Sequence, residues 1–396
     1  WKVGADNRVS FTANWRFTGT VSTQYRVTDN YGNTTTAKLT VTVTPTPATD
    51  TERRLAAIGA LDAGRDGSGI RVGIIDSGIN YQHPDLGGTS SSTFPTTRTT
   101  KGWDFVDKDA NPADCYGHGT HVAGIVAANG NPKQGGAYGV APGVTLGAYR
   151  VFDCQGSATT DHILAAINRA YSDGMNVVSL SLGATTVSWP NETSYPLTQA
   201  AASLVKKGVV VIAAAGNDDN GLFTVGSPAV APGVISVAAT TATGTSTESY
   251  SAMGPAADLT HSPTIAAPGS SVRSTWLGTG WRVSSGTSRA APEVGGAVAT
   301  IRQARGWRTP TAGLPARVAA LLYASASPLK SARSGLTDKP DAVFRQGAGL
   351  LQLQAALATT VTASPSTLSL GEGTSRKATV TLTNTGTTAV TYQASA

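Results

Sequence analysis

Three short segments carry side chains that could do nucleophilic chemistry together. In Arg71-Val-Gly-Ile-Ile-Asp76-Ser-Gly-Ile79, an apolar run ends in a carboxylate followed by Ser and Gly. As a strand of an α/β sheet, that run would set Asp76 at its carboxyl end, where ligand sites in such sheets form. Taken alone, a turn or helix-capping Asp is the better reading. In Gly117-His118-Gly-Thr-His121-Val-Ala-Gly124, two histidines stand three apart near a helix start. A helical zinc motif needs them four apart with a Glu, and both conditions fail here. The alternative is His118 as a general base at a helix entrance with His121 a packed structural residue, although a lone His is more often structural. Ser284-Ser-Gly286-Thr-Ser288-Arg-Ala-Ala-Pro292 presents a hydroxyl at a helix start, among neighbours small enough to admit a substrate backbone. Serine-rich loops are common, so Ser288 gains weight only from its company.

A fourth segment, Ala213-Ala-Ala-Gly216-Asn217-Asp-Asp, sets an amide after an apolar run, and a plain turn explains it from composition alone. The side chains of the first three segments complement one another chemically. A serine hydroxyl is a weak nucleophile unless a base takes its proton as it attacks. His118 would take it, and Asp76 would hold the imidazole tautomer and stabilise the imidazolium.

The elements that must position these groups can be read from periodicity. Ile70–Ile75, Thr145–Val151, Val177–Leu182 and Val209–Ala215 read as buried strands, and Thr120–Ala128 as a helix. Thr160–Ser172 is an amphipathic helix with Ile163, Ile167 and Tyr171 at helical spacing, and Leu197–Lys207 is another. This alternation predicts an α/β fold, a parallel sheet with helices on both faces. The ends read differently. Within residues 1–44, the alternating runs Val21–Val27 and Ala37–Val43 flank Asp29-Asn-Tyr-Gly32, a hairpin in a partial Ig-like or cadherin-like β segment. Residues 45–51 form a linker, stiff where it runs Thr44-Pro-Thr-Pro-Ala-Thr. Residues 359–396 alternate again through Ser366-Thr-Leu368-Ser-Leu370 and Ala378–Asn384, a partial fibronectin-III-like segment. Both ends read as fragments of a larger modular protein.

Bulk properties exclude other classes. Of 396 residues, 14% are charged and 6% aromatic, with 45 glycines, which suits a turn-rich globular protein and neither a coiled coil nor a disordered chain. The net charge of +6 is scattered, with no basic patch for nucleic acid. The longest apolar stretch, Val209–Ala215, is far too short to cross a bilayer. Cys115 and Cys154 are the whole thiol inventory, a disulfide or two inert buried thiols; neither has a CxxC partner for a metal.

The three motifs, in the order Asp76, His118, Ser288, resemble the subtilisin-like serine proteases, whose triad runs Asp–His–Ser where chymotrypsin runs His–Asp–Ser. The resemblance covers residues 52–358. It implies a subtilisin-like parallel sheet, a serine endopeptidase working through an acyl-enzyme, and Asn217 with the Ser288 N–H as oxyanion donors. It implies that Ser181, Leu182 and Gly183 line the primary specificity pocket with Ala215 and Gly216. It also implies that Gly156, Ser157 and Ala158 pair with a protein or peptide substrate bound as an extended strand. With nothing charged in Ser181–Ala184 or Ala213–Gly216, the expected P1 preference is broad, for apolar or uncharged side chains. Cysteine pairs at matching places in secreted members imply a Cys115–Cys154 disulfide and a secreted or cell-surface location. No cofactor is required for the chemistry, and the chain is expected to be a monomer. Asp85 matches a common calcium-ligand position, but the loop Asn129–Tyr138 lacks the usual spaced oxygens, so no metal site is assigned. Asp104, Asp107 and Asp109 read as exposed turn carboxylates rather than cation ligands.

Two residues depart from the family pattern: Arg289 after the nucleophile, where an uncharged residue is usual, and Glu293, where His is frequent. Four residues apart, they share one helix face and are expected to form an ion pair. The other reading is that both side chains reach solvent. With these departures, a catalytically silent peptide-binding module on the same scaffold is the rival reading.

Overall fold

A computed structural model describes the chain except residues 4–8, 13–16, 18, 45–47, 62, 185–188, 190–194, 219–220, 333–336, 370–376 and 393–396. The proline-rich part of the expected linker, Asp219 and Leu370 therefore lie outside the described residues.

Seven parallel strands make the central sheet, in the spatial order Ile265–Pro268, Ile235–Thr240, Val210–Ala214, Val177–Leu180, Arg71–Asp76, Thr145–Arg150, Thr99–Asp104. Chain order reverses at Arg71–Asp76: the next two strands add on one side and all later strands on the other. Such a reversal opens a crevice at the carboxyl ends of the strands. Asp76 is the last residue of that strand.

Period-two alternation feeds two cores. Val72, Ile74, Val210 and Ile212 pack with Val122, Val126, Val294 and Val298, from helices His118–Ala127 and Thr287–Ala304. Ile75, Val178 and Val211 face the other way, onto Ile163, Ile167, Ala201 and Leu204 of helices Thr160–Ser172 and Pro196–Lys206. Each fully buried Val or Ile contributes about 1.5–3 kcal/mol, so the first of these faces firmly holds the two helices that bear His118 and Ser288. The parallel sheet and its two-sided helices are as the sequence implied, and element ends shift by one or two residues.

At the N-terminal end, Gly19–Thr28 pairs with Thr34–Val43 in a ten-residue antiparallel ladder. The Asp29 carboxylate closes its turn by accepting from the Tyr31 and Asn33 N–H groups, each at 2.8 Å. Near the other end, Val361–Ser364 pairs antiparallel with Thr381–Asn384.

Candidate active site

Asp76 is fully buried, and its Oδ1 meets His118 Nδ1 at 2.7 Å and accepts from the Ser77 N–H at 2.7 Å. Two glycines let the His118 helix come this close. A Cβ on Gly119 would lie 2.2 Å from the Gly78 carbonyl and 3.1 Å from Asp76 Cβ, and one on Gly117, itself at φ +97°, would strike the Trp276 ring. Asp114, which sequence reasoning missed, holds the same helix start. Its carboxylate accepts from the Gly117 and Thr120 N–H groups at 2.8 and 2.9 Å and from Ser77 Oγ at 2.9 Å. Burial raises its pKa against the lowering effect of those bonds. Ser77 Oγ in turn accepts from the Gly119 N–H at 2.8 Å. The signal was present as an Asp shortly before the helix, an ordinary capping placement.

Ser288 is the second residue of helix Thr287–Ala304. Pro292, one turn on, has no N–H to give the Ser288 carbonyl. Ser181 Oγ fills that role, donating at 3.1 Å, while Ser288 Oγ donates to the Ser181 carbonyl at 3.2 Å. The two serines thus lock the helix start against the end of strand Val177–Leu180. Asn217 Oδ1 accepts from the Thr287 N–H at 2.8 Å and from Thr287 Oγ1 at 3.0 Å. This engages the oxygen of the amide in holding the helix and leaves its NH2 end for other work. A cavity of about 350 Å³ joins Ser288 and Asn217 to Leu182, Gly183, Ala184, Ala214, Ala215 and Gly216, with Phe152 and Asp218 also on its lining.

With buried carboxylate, imidazole and a helix-start serine at one sheet end, comparison with known proteins becomes decisive. Residues 67–349 match the family model described as the Subtilase family. The chain belongs to the subtilase family. It is 35% identical over 278 residues to alkaline serine exoprotease A of Vibrio alginolyticus, an alignment covering 70% of this chain and 45% of that protein. It is 40% identical over 200 residues to the minor extracellular protease Vpr of Bacillus subtilis (strain 168), covering 48% of this chain and 23% of Vpr. The chain thus spans less than half of either relative. The crystal structure of a cold adapted subtilisin-like serine proteinase superposes with a TM-score of 0.58 at 31% identity, covering 74% of this chain and 91% of the other. Residues 1–42 match a bacterial Ig domain model.

Against the subtilase pattern, the two unusual residues behave otherwise than expected. Arg289 and Glu293 do not pair with each other, and neither reaches solvent: they are 6% and 0% exposed. Glu293 Oε1 instead takes the guanidinium of Arg54, on helix Asp50–Ala57. Arg289 Nη1 donates to His118 Nε2 at 2.8 Å and Nη2 to Ser284 Oγ at 3.0 Å. The i,i+4 rule describes exposed helix faces; this helix is enclosed, and other elements supply partners closer than its own next turn. Burial lowers the Arg289 pKa to about 10, which Asp76 opposes.

His121 is buried, with Nε2 at 2.9 Å from the Arg282 carbonyl. Burial, reinforced by Arg289, pushes its pKa down to about 3, a structural imidazole kept neutral. Cys115 and Cys154 are disulfide-bonded, with Cα atoms 5.1 Å apart. That bond fastens the loop of Gly156, Ser157 and Ala158 beside Tyr116, so close that a Cβ on Gly156 would lie 2.6 Å from the Tyr116 ring. The loop is a turn closed by a Phe152–Ala158 bridge rather than a regular strand, and it stands outside the cavity lining. Asp104 is buried rather than exposed: Arg150 binds it at 2.5 Å together with Asp107. Asp109 accepts from the Asn111 N–H at 2.7 Å.

At Asp85, the common calcium-ligand position, Oδ2 accepts from the Ala137 N–H at 2.7 Å and the Trp281 indole N–H at 2.6 Å, so protein donors hold this carboxylate oxygen. Among the described residues, no group of three or more His, Cys, Asp or Glu is placed to hold a metal. No described helix is long and apolar enough to cross a membrane.

Proposed function

We propose that the chain is a serine endopeptidase whose triad is Asp76, His118 and Ser288, with Asn217 and the Ser288 N–H as oxyanion donors. The observation that carries this reading is the bond from His118 Nδ1 to the buried Asp76 carboxylate, 2.7 Å long, at the sheet end where Ser288 begins its helix. Ser288 Oγ attacks the scissile carbonyl as its proton passes to His118 Nε2; the imidazolium, stabilised by Asp76, then protonates the leaving amine, and water repeats the sequence on the acyl-enzyme. Asn217 Nδ2 donates to the oxyanion while its Oδ1 remains tied to Thr287.

The uncharged cavity walls, Leu182–Ala184 and Ala214–Gly216, support an apolar or uncharged P1 residue, with exposed Asp218 on the lining. Substrates are polypeptides held in extended form along Ser181–Gly183 and Gly156–Ala158. The peptidase domain is residues 52–358, between a partial Ig-like segment at 1–44 and a partial fibronectin-III-like one at 359–396. The disulfide, the bacterial Ig match and the extracellular relative support a secreted or cell-surface location, and the working unit is a monomer.

The test is labelling by a fluorophosphonate probe, beside casein hydrolysis, for wild type and Ser288→Ala. Labelling and hydrolysis that both vanish in the variant support the triad. A folded wild type that neither labels nor hydrolyses, with a folded Arg289→Met equally silent, favours the rival silent binding module.

A further inference from the structure

For the proposed triad to work, His118 Nε2 must receive the Ser288 proton, yet in the folded chain both atoms are engaged elsewhere. Ser288 Oγ donates to the Ser181 carbonyl at 3.2 Å, and Arg289 Nη1 donates to Nε2 at 2.8 Å. A guanidinium carries donors only. The contact therefore requires the Nε2 lone pair to point at Arg289, with the ring proton on Nδ1, facing Asp76. The guanidinium is held from its other side by Ser284 Oγ at 3.0 Å and is almost wholly enclosed. Glu293, the carboxylate one turn along its own helix, is committed to Arg54. Arg289 is thus held on the base from two sides, and among the described residues no carboxylate forms an ion pair with it.

We propose that Arg289 is a latch on the general base, which must leave Nε2 before Ser288 can be deprotonated. The inference rests on the triad reading of Asp76, His118 and Ser288. Two effects make the latched state unreactive. The lone pair that would accept the serine proton is already hydrogen-bonded. Proton transfer would also leave an imidazolium against a guanidinium, two cations in contact, the second of them buried. Once the guanidinium has swung off, Ser288 Oγ turns from Ser181 to Nε2. The Oγ–carbonyl bond then forms as the O–H proton moves to the imidazole, with Asp76 balancing the new charge. Only the unlatched fraction reacts, so the observed acylation rate scales with that fraction.

The experiment measures fluorophosphonate labelling rates for wild type, Arg289→Met, Ser284→Ala and Ser288→Ala, with thermal unfolding of each. Methionine fills similar space with no donor. Loss of a charge-assisted bond should speed labelling by about tenfold or more. Ser284→Ala, which removes only the outer support, should give a gain of about twofold to fivefold, and Ser288→Ala should not label. In ¹⁵N spectra of histidine-labelled protein, the His118 Nε2 resonance should move in Arg289→Met while Nδ1 holds its place, a change that a merely structural arginine would not produce.

A wild type that labels, with a folded Arg289→Met no faster and an unmoved Nε2 resonance, overturns the latch and leaves the triad intact. A silent wild type beside a reactive Arg289→Met supports a latch that is fully closed. Silence in both folded proteins ends the triad reading and the latch with it. If Arg289→Met does not fold, Ser284→Ala decides: a rate equal to wild type overturns the latch.

Discussion

Asn217 has two ends with different duties. Its oxygen holds the Thr287 N–H and hydroxyl at the start of the nucleophile helix, and its nitrogen is the proposed oxyanion donor. Asn217→Ala should therefore lose about 10²–10³ in kcat, a magnitude taken from the equivalent loss in subtilisin itself. It should also lose about 1 kcal/mol of stability, because the Thr287 N–H loses its acceptor. Steady-state kinetics and urea unfolding separate the two losses; a variant that loses stability but not kcat would leave Asn217 a helix cap only. His121 gives a second prediction at this scale. Its folded pKa is about 3 against an ordinary 6.5, so the unfolded chain binds a proton through that interval and the native chain does not. Its contribution is full above pH 6.5 and is lost as pH falls toward 3. The urea midpoint should decline across that window in wild type and less steeply in His121→Gln.

Among the elements, the helix Asp50–Ala57 matters most beyond the family-matched region. It opens with a capping box in which Thr49 and Glu52 satisfy each other's backbone N–H groups, and it sends Arg54 into the interior to meet Glu293. Glu293→Gln leaves the Arg54 charge buried without its counter-charge and should destabilise by about 3–5 kcal/mol. A midpoint unchanged in thermal unfolding would show that the pair is not energetically coupled. This partnership also marks where sequence reading ran out. Helix Thr160–Ser172 was legible to the residue, because Ile163 and Ile167 repeat at the helical period and Thr159 caps it. That Asp76, His118, Ser288 and Asn217 lie at the ends of elements was legible from the plain pattern of those elements. Their proposed roles came from the order of the motifs and the family resemblance, since each segment alone reads more simply as a cap, turn or packed residue. The partners of Arg289 and Glu293 were not legible, since local spacing carries no record of an arginine 239 residues away or of an imidazole on another helix. Asp104 failed for the same reason: it sits in a run of turn carboxylates, but Arg150, on the neighbouring strand, draws it inside.

For the whole molecule, the hairpin Gly19–Thr28 and Thr34–Val43 contrasts with the two-core α/β domain C-terminal to it. Its strands are almost wholly exposed, and none of its residues joins either core. Removing residues 1–48 should leave the unfolding midpoint of the remainder within about 2 °C, a shift that for a chain this long corresponds to about 1.5 kcal/mol. Removing residues 1–58 should lower it sharply, since Arg54, Leu55 and Ile58 go with it. Equal midpoints for the two truncations would show that helix Asp50–Ala57 adds nothing to the domain. The Arg54–Glu293 pair also bears on how the lineage can change. Neither residue can be replaced singly without stranding a buried charge, so substitutions at the two positions should be inherited together. Subtilases with His at the position of Glu293 should lack a basic residue at that of Arg54, and those that keep the glutamate should keep a cation to meet it. Across diverged members, this pair should stand out as two distant positions that change in step.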